Sequence, residues 1–485
     1  MYARTLFVSP TGLDTNPGTL ESPFATLARG YNTAVAGDTI MVRGGTFAMT
    51  GTFSISKSGT STSRYFLFAY ANERPVLDFS AAGSGSRGIN VTGSYWSIKG
   101  LDVFKAPDNG MRISGSNNRI ELCIFRENGD TGLQLDSGAG NNSIINCDSY
   151  YNVDVTQGNA DGFAPKLTVG TGNYFYGCRA WQNSDDGWDG YMRGADNVTT
   201  TIENSWCFQN GYLKNGAASS GNGNGYKLGG GDNSNADSLR HNMILKNCLA
   251  FDNRVKGFDQ NNNRGSMTFL NCTGYRNGTN YQVTGPIRST STVTAKNCVA
   301  LGAYGGLGSY TIQATNSWMP PFAVSSADFI SIDTTGMRGP RNPDGSLPVL
   351  PFMRLAPGSD LIDAGTNVGL PFNGSAPDLG CFETSGPTSV TTTIVAPRHF
   401  RLDQNYPNPF NPVTSIGFSV SLTEQTQLVV YDLIGRPVAT LFDGLAETGR
   451  YYTVQFDAKH LASGVYVYRL QTQQNSEQKR LLFIK

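Results

Sequence analysis

The stretch "GCRAWQNSDDGWDG" at 177–190 lines up residue for residue with "NCLAFDNRVKGFDQ" at 247–260. Each has a cysteine in second place (Cys178, Cys248), an aromatic three residues on (Trp181, Phe251), then an asparagine (Asn183, Asn253), and finally Gly-aromatic-Asp. "ELCIFRENGDTGLQL", "NCDSYYN" and "NCTGYRN" fall in the same register and add Cys123, Cys147 and Cys272, with Asn128, Asn152 and Asn277 five residues after each cysteine. "NSWCFQNG" fits with Ser205 in the cysteine place and Asn210 in the asparagine place, and the aromatic place is also held by Tyr150, Phe208 and Tyr275. The period runs mostly from 24 to 31 residues and has no helical spacing of apolar positions. Such a period predicts an all-β chain wound as a parallel β-helix, whose coils bury their inward residues only by stacking on their neighbours. Like residues then form ladders about 4.8 Å apart.

The ladders themselves call for no chemistry, since cysteine is a small core filler, aromatics stack and asparagines hydrogen-bond along a turn. A second series follows: Gly132-Leu133-Gln134, Gly162-Phe163-Ala164, Gly187-Trp188-Asp189, Gly225-Tyr226-Lys227 and Gly257-Phe258-Asp259. If the apolar member points inward, strand alternation turns the third member outward. Gln134, Ala164, Asp189, Lys227 and Asp259 are therefore expected to form one exposed column. Asp161, Asp186, Asn224 and Lys256, each just before the glycine, form the column beside it.

The composition agrees with this architecture. The chain has 485 residues, only 15% of them charged, and 58 glycines. That is too long for one small core and suits many turns. Basic and acidic residues balance at 37 each, so no global field recruits nucleic acid or an anionic surface. No apolar run approaches the roughly 18 residues that a membrane helix needs, and "MYARTLFVSP" lacks the apolar centre of a signal peptide, so a secreted form is expected to need a leader absent from this chain. Eight cysteines show no CxxC or Cys/His metal spacing.

Before the repeats, Phe24, Leu27 and Tyr31 lie on one face of a short amphipathic helix, expected within an N-terminal cap over about 1–50. After Cys298 the repeats become irregular, and "PGSDLIDAGTNVGLPFNGSAPDLGCFE" is expected to close the opposite end. The β-helix domain is thus read as 1–383, a Ser/Thr/Pro/Gly linker as 384–397 and a small β-sandwich as 398–485. Within the last, "LDQNYPNPFNPVTSIGF", "VYDLIGRPV" and "LASGVYVYRL" closely resemble the C-terminal sorting domain of the type IX secretion system. That resemblance implies export across both membranes of a Gram-negative cell, to the medium or the cell surface, and gives the sandwich no part in catalysis.

The charged residues concentrate in one place. Asp185, Asp186 and Asp189 fall within five positions, and stacking brings Asp161 one coil below Asp186. Like charges so close are either solvated on a loose turn or neutralised. An all-oxygen set on a turn suits Ca²⁺ rather than zinc. Lys227 follows Asp189 in the same column, after the glycine-rich "NGAASSGNGNG". Beside bound Ca²⁺ its charged form is disfavoured, its pKa is expected to fall, and a depressed lysine makes a general base.

"ADGFAPKLTVGTGNYFYGCRAWQNSDDGWDGY" and "GNGYKLGG" resemble the calcium site and catalytic lysine of polysaccharide lyase family 9 pectate lyases, and the similarity extends over most of 5–383. It implies a right-handed parallel β-helix, Ca²⁺ held by Asp161, Asp185, Asp186 and Asp189, and Lys227 as the base that abstracts the C5 proton of polygalacturonate in a β-elimination. Lys166, Arg193, Arg254, Lys256 and Arg264 on the same or neighbouring coils are candidates for binding other substrate carboxylates, or ordinary surface charges. The chain is expected to act as a monomer, with no nucleic-acid partner. Three rivals stand beside this reading: a lyase for alginate or a glycosaminoglycan, a non-catalytic carbohydrate-binding β-helix that would need the cation but not Lys227, and a glycoside hydrolase. The last is disfavoured by the lysine and because His241, His399 and His460 have no polygalacturonase-like Gly-His-Gly setting.

Overall fold

The computed structural model describes residues 3–231, 235, 238–384, 391–394, 400–459, 461–472 and 475–484. His399, His460 and most of the 384–397 stretch lie outside the described residues. Close contacts divide the chain into two units, Met1–Val368 with Ala376–Glu383, and Gly369–Ser375 with Thr384–Lys485.

In the first unit each coil contributes one strand to each of three parallel sheets. The first sheet has twelve strands and runs from Thr5–Val8 to Ile312–Ala314; the second has ten, from Phe53–Ile55 to Gly305–Leu307; the third has ten, from Gly45–Ala48 to Val299–Leu301. This is a parallel β-helix. Among the described residues its only α-helix is Leu27–Thr33. Thr26 caps that helix through a side-chain oxygen that accepts from Arg29 N at 3.1 Å. Its buried face, Leu27, Gly30 and Tyr31, lies over the first coil, with the Tyr31 ring against Phe53 and Trp96. The bare backbone edge at that end is thereby covered.

Inside the helix, Phe163, Trp188, Tyr226, Phe258 and Tyr281 stack on successive second-sheet strands, with centroids 4.6 to 5.2 Å apart. Cys123, Cys147, Cys178, Cys248, Cys272 and Cys298 form the buried thiol ladder, all free, with thiols donating to backbone carbonyls such as Ile202 O, 3.4 Å from Cys248. Tyr150, Trp181, Phe208 and Phe251 also stack, but outside the third sheet, because alternation sends Ala180, Cys207 and Ala250 inward.

That outer aromatic row explains a departure from expectation. The segment after the repeats runs along the third sheet, where Phe329, Phe352, Leu355, Leu361 and Leu379 cover the row. Cys381 N donates to Thr273 Oγ1 at 3.0 Å, and Arg341 reaches Asp148 at 2.6 Å. The parts of "PGSDLIDAGTNVGLPFNGSAPDLGCFE" that belong to this unit, 357–368 and 376–383, therefore close a side rather than the end, because a sheet apolar on both faces needs a second cover. At the end itself, Trp318 and Tyr304 lie over Tyr281.

The second unit contains two four-stranded antiparallel sheets around Ile416, Phe418, Leu428, Tyr468 and Phe483. Thr391–Ile394, inside the stretch read as linker, pairs antiparallel with Arg450–Thr453.

Candidate active site and cation-binding cluster

The aspartates come together because one turn repeats on successive coils. Asp185 and Asp186 occupy the turn between Arg179–Trp181 of the third sheet and Trp188–Tyr191 of the second, and Asp161 occupies the equivalent turn one coil earlier. Asp186 N donates to Asp161 Oδ1 at 3.2 Å, and Gly162 N to Asp186 O at 3.0 Å. Asp189 pairs across the sheet with Lys227, and Lys227 with Asp259. Just beyond, the register slips by a bulge: Gly229 and Gly230 take φ of 116° and 90°, a conformation that disfavours other residues. The buried His241 ring packs there, its Nδ1 3.0 Å from Gly190 O and its pKa pushed down by burial to about 4, so it stays neutral.

The cluster is dry. Asp161 and Asp186 are 0% exposed, Asp185, Asp189 and Lys227 are buried, and so are Gln134, Ala164 and Asp259. The column expected to be exposed is thus covered, and a freely solvated acidic turn is excluded. The cover over the centre is the loop before Lys227. Asn222 N donates to Asp185 Oδ1, Asn224 N to Asp186 Oδ1 at 2.8 Å, and Ser219 Oγ to Ser184 O.

Two lysines share three of the four carboxylates. Lys227 Nζ lies 3.0 Å from Asp186 Oδ2 and 3.4 Å from Asp189 Oδ1, and donates to Asn222 Oδ1 at 3.0 Å. Lys166 Nζ lies 2.7 Å from Asp161 Oδ2 and 3.5 Å from Asp189 Oδ2. Burial, aided by repulsion among the aspartates and opposed by the lysines, raises Asp161 well above the ordinary carboxylate range, raises Asp185 and pushes Asp186 up to about 8. Asp189 goes the other way: burial opposes ionisation, but Lys227 and Lys166 together outweigh it. Burial also pulls on both ammonium groups, yet Asp186, Asp189 and their neighbours hold Lys227 well above its usual range, and Asp161 and Asp189 do the same for Lys166. The depression expected of Lys227 therefore requires added positive charge among the carboxylates.

The donor set fits a hard divalent cation. Carboxylate oxygens of Asp161, Asp185 and Asp186 lie within 4.8 Å of one another. When all four carboxyl groups are ionised, the two ammonium groups leave two negative charges for a cation to balance, and the buried Asn224 Oδ1 next to Asp186 has no hydrogen-bond donor. All-oxygen ligands with excess negative charge are what Ca²⁺ takes.

The other predicted residues are dispersed. Lys166 is inside the cluster; its place follows from alternation, two residues past Ala164. Arg254 packs against the loop and donates through Nη2 to Gly221 O. Lys256 is held by Asp259 at 2.9 Å. Arg193 stands exposed beside the Tyr191 ring, and Arg264 sits in the turn toward the first sheet, its carbonyl accepting from Arg288 N at 3.0 Å. Asn224 falls in the column just before the glycine, beside Asp186, whereas Asn222 had no repeat signal to mark it, since its place depends on how the inserted loop folds back.

Comparison with known proteins bears on these features. Residues 6–300 match the family described as Pel9A-like, right handed beta helix region, and residues 404–485 match the secretion system C-terminal sorting domain. Pectate lyase L of Dickeya dadantii (strain 3937) is 38% identical over 398 residues, covering 78% of this chain and 90% of that protein. The crystal structure of pectate lyase Pel9A superposes with a TM-score of 0.74 at 37% identity, covering 79% of this chain and 97% of the other. A solved rhamnogalacturonan lyase gives 0.66 at 29% identity, covering 73% and 97%.

Proposed function

We propose, from the premise that this chain belongs to the Pel9A-like, right-handed β-helix family and is a pectate lyase, that it cleaves de-esterified polygalacturonate by Ca²⁺-dependent β-elimination with Lys227 as the base. The observation that carries this reading is a lysine in cross-strand register with Asp189, its Nζ held among Asp186, Asp189 and Asn222 at the foot of a covering loop.

Asp161, Asp185, Asp186 and Asp189 would hold Ca²⁺. When bound, the ion supplies positive charge to the substrate carboxylate and so favours the negative charge that develops as the adjacent C5 proton leaves. Lys227 in its neutral form takes that proton. The C5–H electron pair becomes the C4–C5 double bond as the C4–O bond breaks, and the departing sugar oxygen takes a proton from water. Lys166 stays charged between Asp161 and Asp189 and orients both. Asn222 bonds Lys227 Nζ through its side chain and Asp185 through its backbone, which ties the base to the carboxylates.

The C-terminal domain marks an exported or cell-surface protein. Its export through the type IX machinery of a Gram-negative cell is part of the proposal. No helix among the described residues is long and apolar enough to cross a membrane.

The test is incubation with polygalacturonate and Ca²⁺, followed by ultraviolet absorbance. Unsaturated ends are expected; new reducing ends without that absorbance would mean hydrolysis and overturn the reading. The likeness to a rhamnogalacturonan lyase favours one alternative substrate, so the same assay on rhamnogalacturonan decides between the two polymers by rate.

A further inference from the structure

A cleft of about 720 Å³ opens round the corner from the aspartates, on the third-sheet side of the covering loop. That is within the size range of small-molecule sites. Gln182 and Gln209, which directly follow third-sheet strands, form its floor; Tyr212 and Lys214 of the loop form one wall; Arg338, from the segment that covers the third sheet, forms another, and Arg254 closes it toward the catalytic side.

Its charges are unequally satisfied. Arg276 makes two 2.7 Å bonds to Asp252, and Lys214 lies 2.8 Å from Glu127. Arg254 and Arg338 hydrogen-bond only neutral oxygens, Gly221 O and Gln209 Oε1, and Arg254 Nε has no acceptor. Guanidinium groups satisfied by neutral acceptors keep their charge available to an anion. Primary amides and a tyrosine beside them suit hydroxyls and a sugar ring. Together they describe an acidic sugar.

The wall is shared with the catalytic centre. Arg254 holds Gly221 O, and the next residue, Asn222, bonds Asp185 and Lys227. One loop thus separates the cleft from the base, and a polymer bearing a carboxylate on each sugar can engage both places. We propose that this cleft is an accessory subsite that binds a uronate residue of the polymer away from the bond that is cut; the inference rests on the lyase reading above.

The experiment compares wild type with Lys214→Ala/Arg338→Ala, two exposed residues outside the catalytic cluster, on galacturonate oligomers of increasing length and on polymer at saturating Ca²⁺. The expected result is kcat/KM lowered roughly tenfold on long chains, through KM, with kcat and short-oligomer kinetics unchanged. Equal kinetics at every length, or equal loss at every length, overturns the subsite. Calorimetric binding of polygalacturonate is run in parallel in the Lys227→Ala background, with and without the double substitution. If wild type releases no unsaturated ends, the lyase reading has failed, and calorimetry still decides the cleft: weaker binding in the substituted protein supports it, and identical or no binding overturns it.

Discussion

Two columns of short polar side chains stand at the same corner of the β-helix and behave oppositely. In the first, Asn128, Asn152, Asn183, Asn210, Asn253 and Asn277 each donate through Nδ2 to the next Oδ1 in the series, or to Asn280 at its end, at 2.8 to 2.9 Å. Further along the same turns, Asp161, Asp185 and Asp186 gather carboxyl groups that, once ionised, can only accept. Stacking satisfies a residue that both donates and accepts, and it sets a residue that only accepts against its own kind. The asparagine column is self-sufficient and holds the fold. The aspartate column is not self-sufficient: Lys166 lies against Asp161 and Lys227 against Asp186, and buried carboxylates need such partners.

The largest expected effect comes from breaking the second column at its base. Lys227→Ala should cut turnover by about 10² to 10⁴ while polymer binding and the fold persist. Because the base must lose its proton before it can act, wild-type rates at saturating Ca²⁺ should climb with pH through the alkaline range until Lys227 is mostly neutral. Residual activity within about tenfold of wild type would transfer the role to another base, with Lys166 the first to test.

Making the first column resemble the second gives the next effect. In Asn210→Asp a carboxylate replaces the amide that donates to Asn253 Oδ1 and Ala180 O, leaving a buried charge among acceptors. A stability loss of about 3 to 5 kcal/mol is expected in denaturant unfolding. A loss below about 1 kcal/mol would mean that the ladder is not what holds the coils.

A third test asks what pairing does for a buried aspartate away from both columns. Burial opposes ionisation of Asp148, but Arg341 and Arg179 hold its pKa down at about 2. A folded pKa below the unfolded one adds stability that is fully present above roughly pH 4 and is lost as the pH falls through about 2, worth about 2 kcal/mol. Asp148→Asn should remove that part of the acid dependence, and an unchanged profile between pH 4 and pH 2 would show the pair to be neutral. The smallest effect is expected outside the β-helix altogether. Deleting residues 398–485 should leave the rate unchanged within error, and loss of turnover in folded truncated protein would show that the sorting domain supports the catalytic centre.

Much of this could be read without coordinates. The repeat determined the coils, since Cys178 and Cys248 mark equivalent places whatever lies between them, and a residue's neighbour one coil away follows from register alone. For the same reason the sequence brought Asp161 beside Asp186 and Asp189 beside Lys227. Tertiary structure alone decided what covers these columns. The loop over Asp185, Asp186 and Lys227, the segment lying along the third sheet and the cleft under Arg338 all depend on irregular chain folding back onto the coils. A repeat encodes contacts between equivalent positions through local geometry that recurs in every coil. An insertion has no equivalent in other coils, so its path, and the burial that sets the charge of every group beneath it, is determined only by long-range packing.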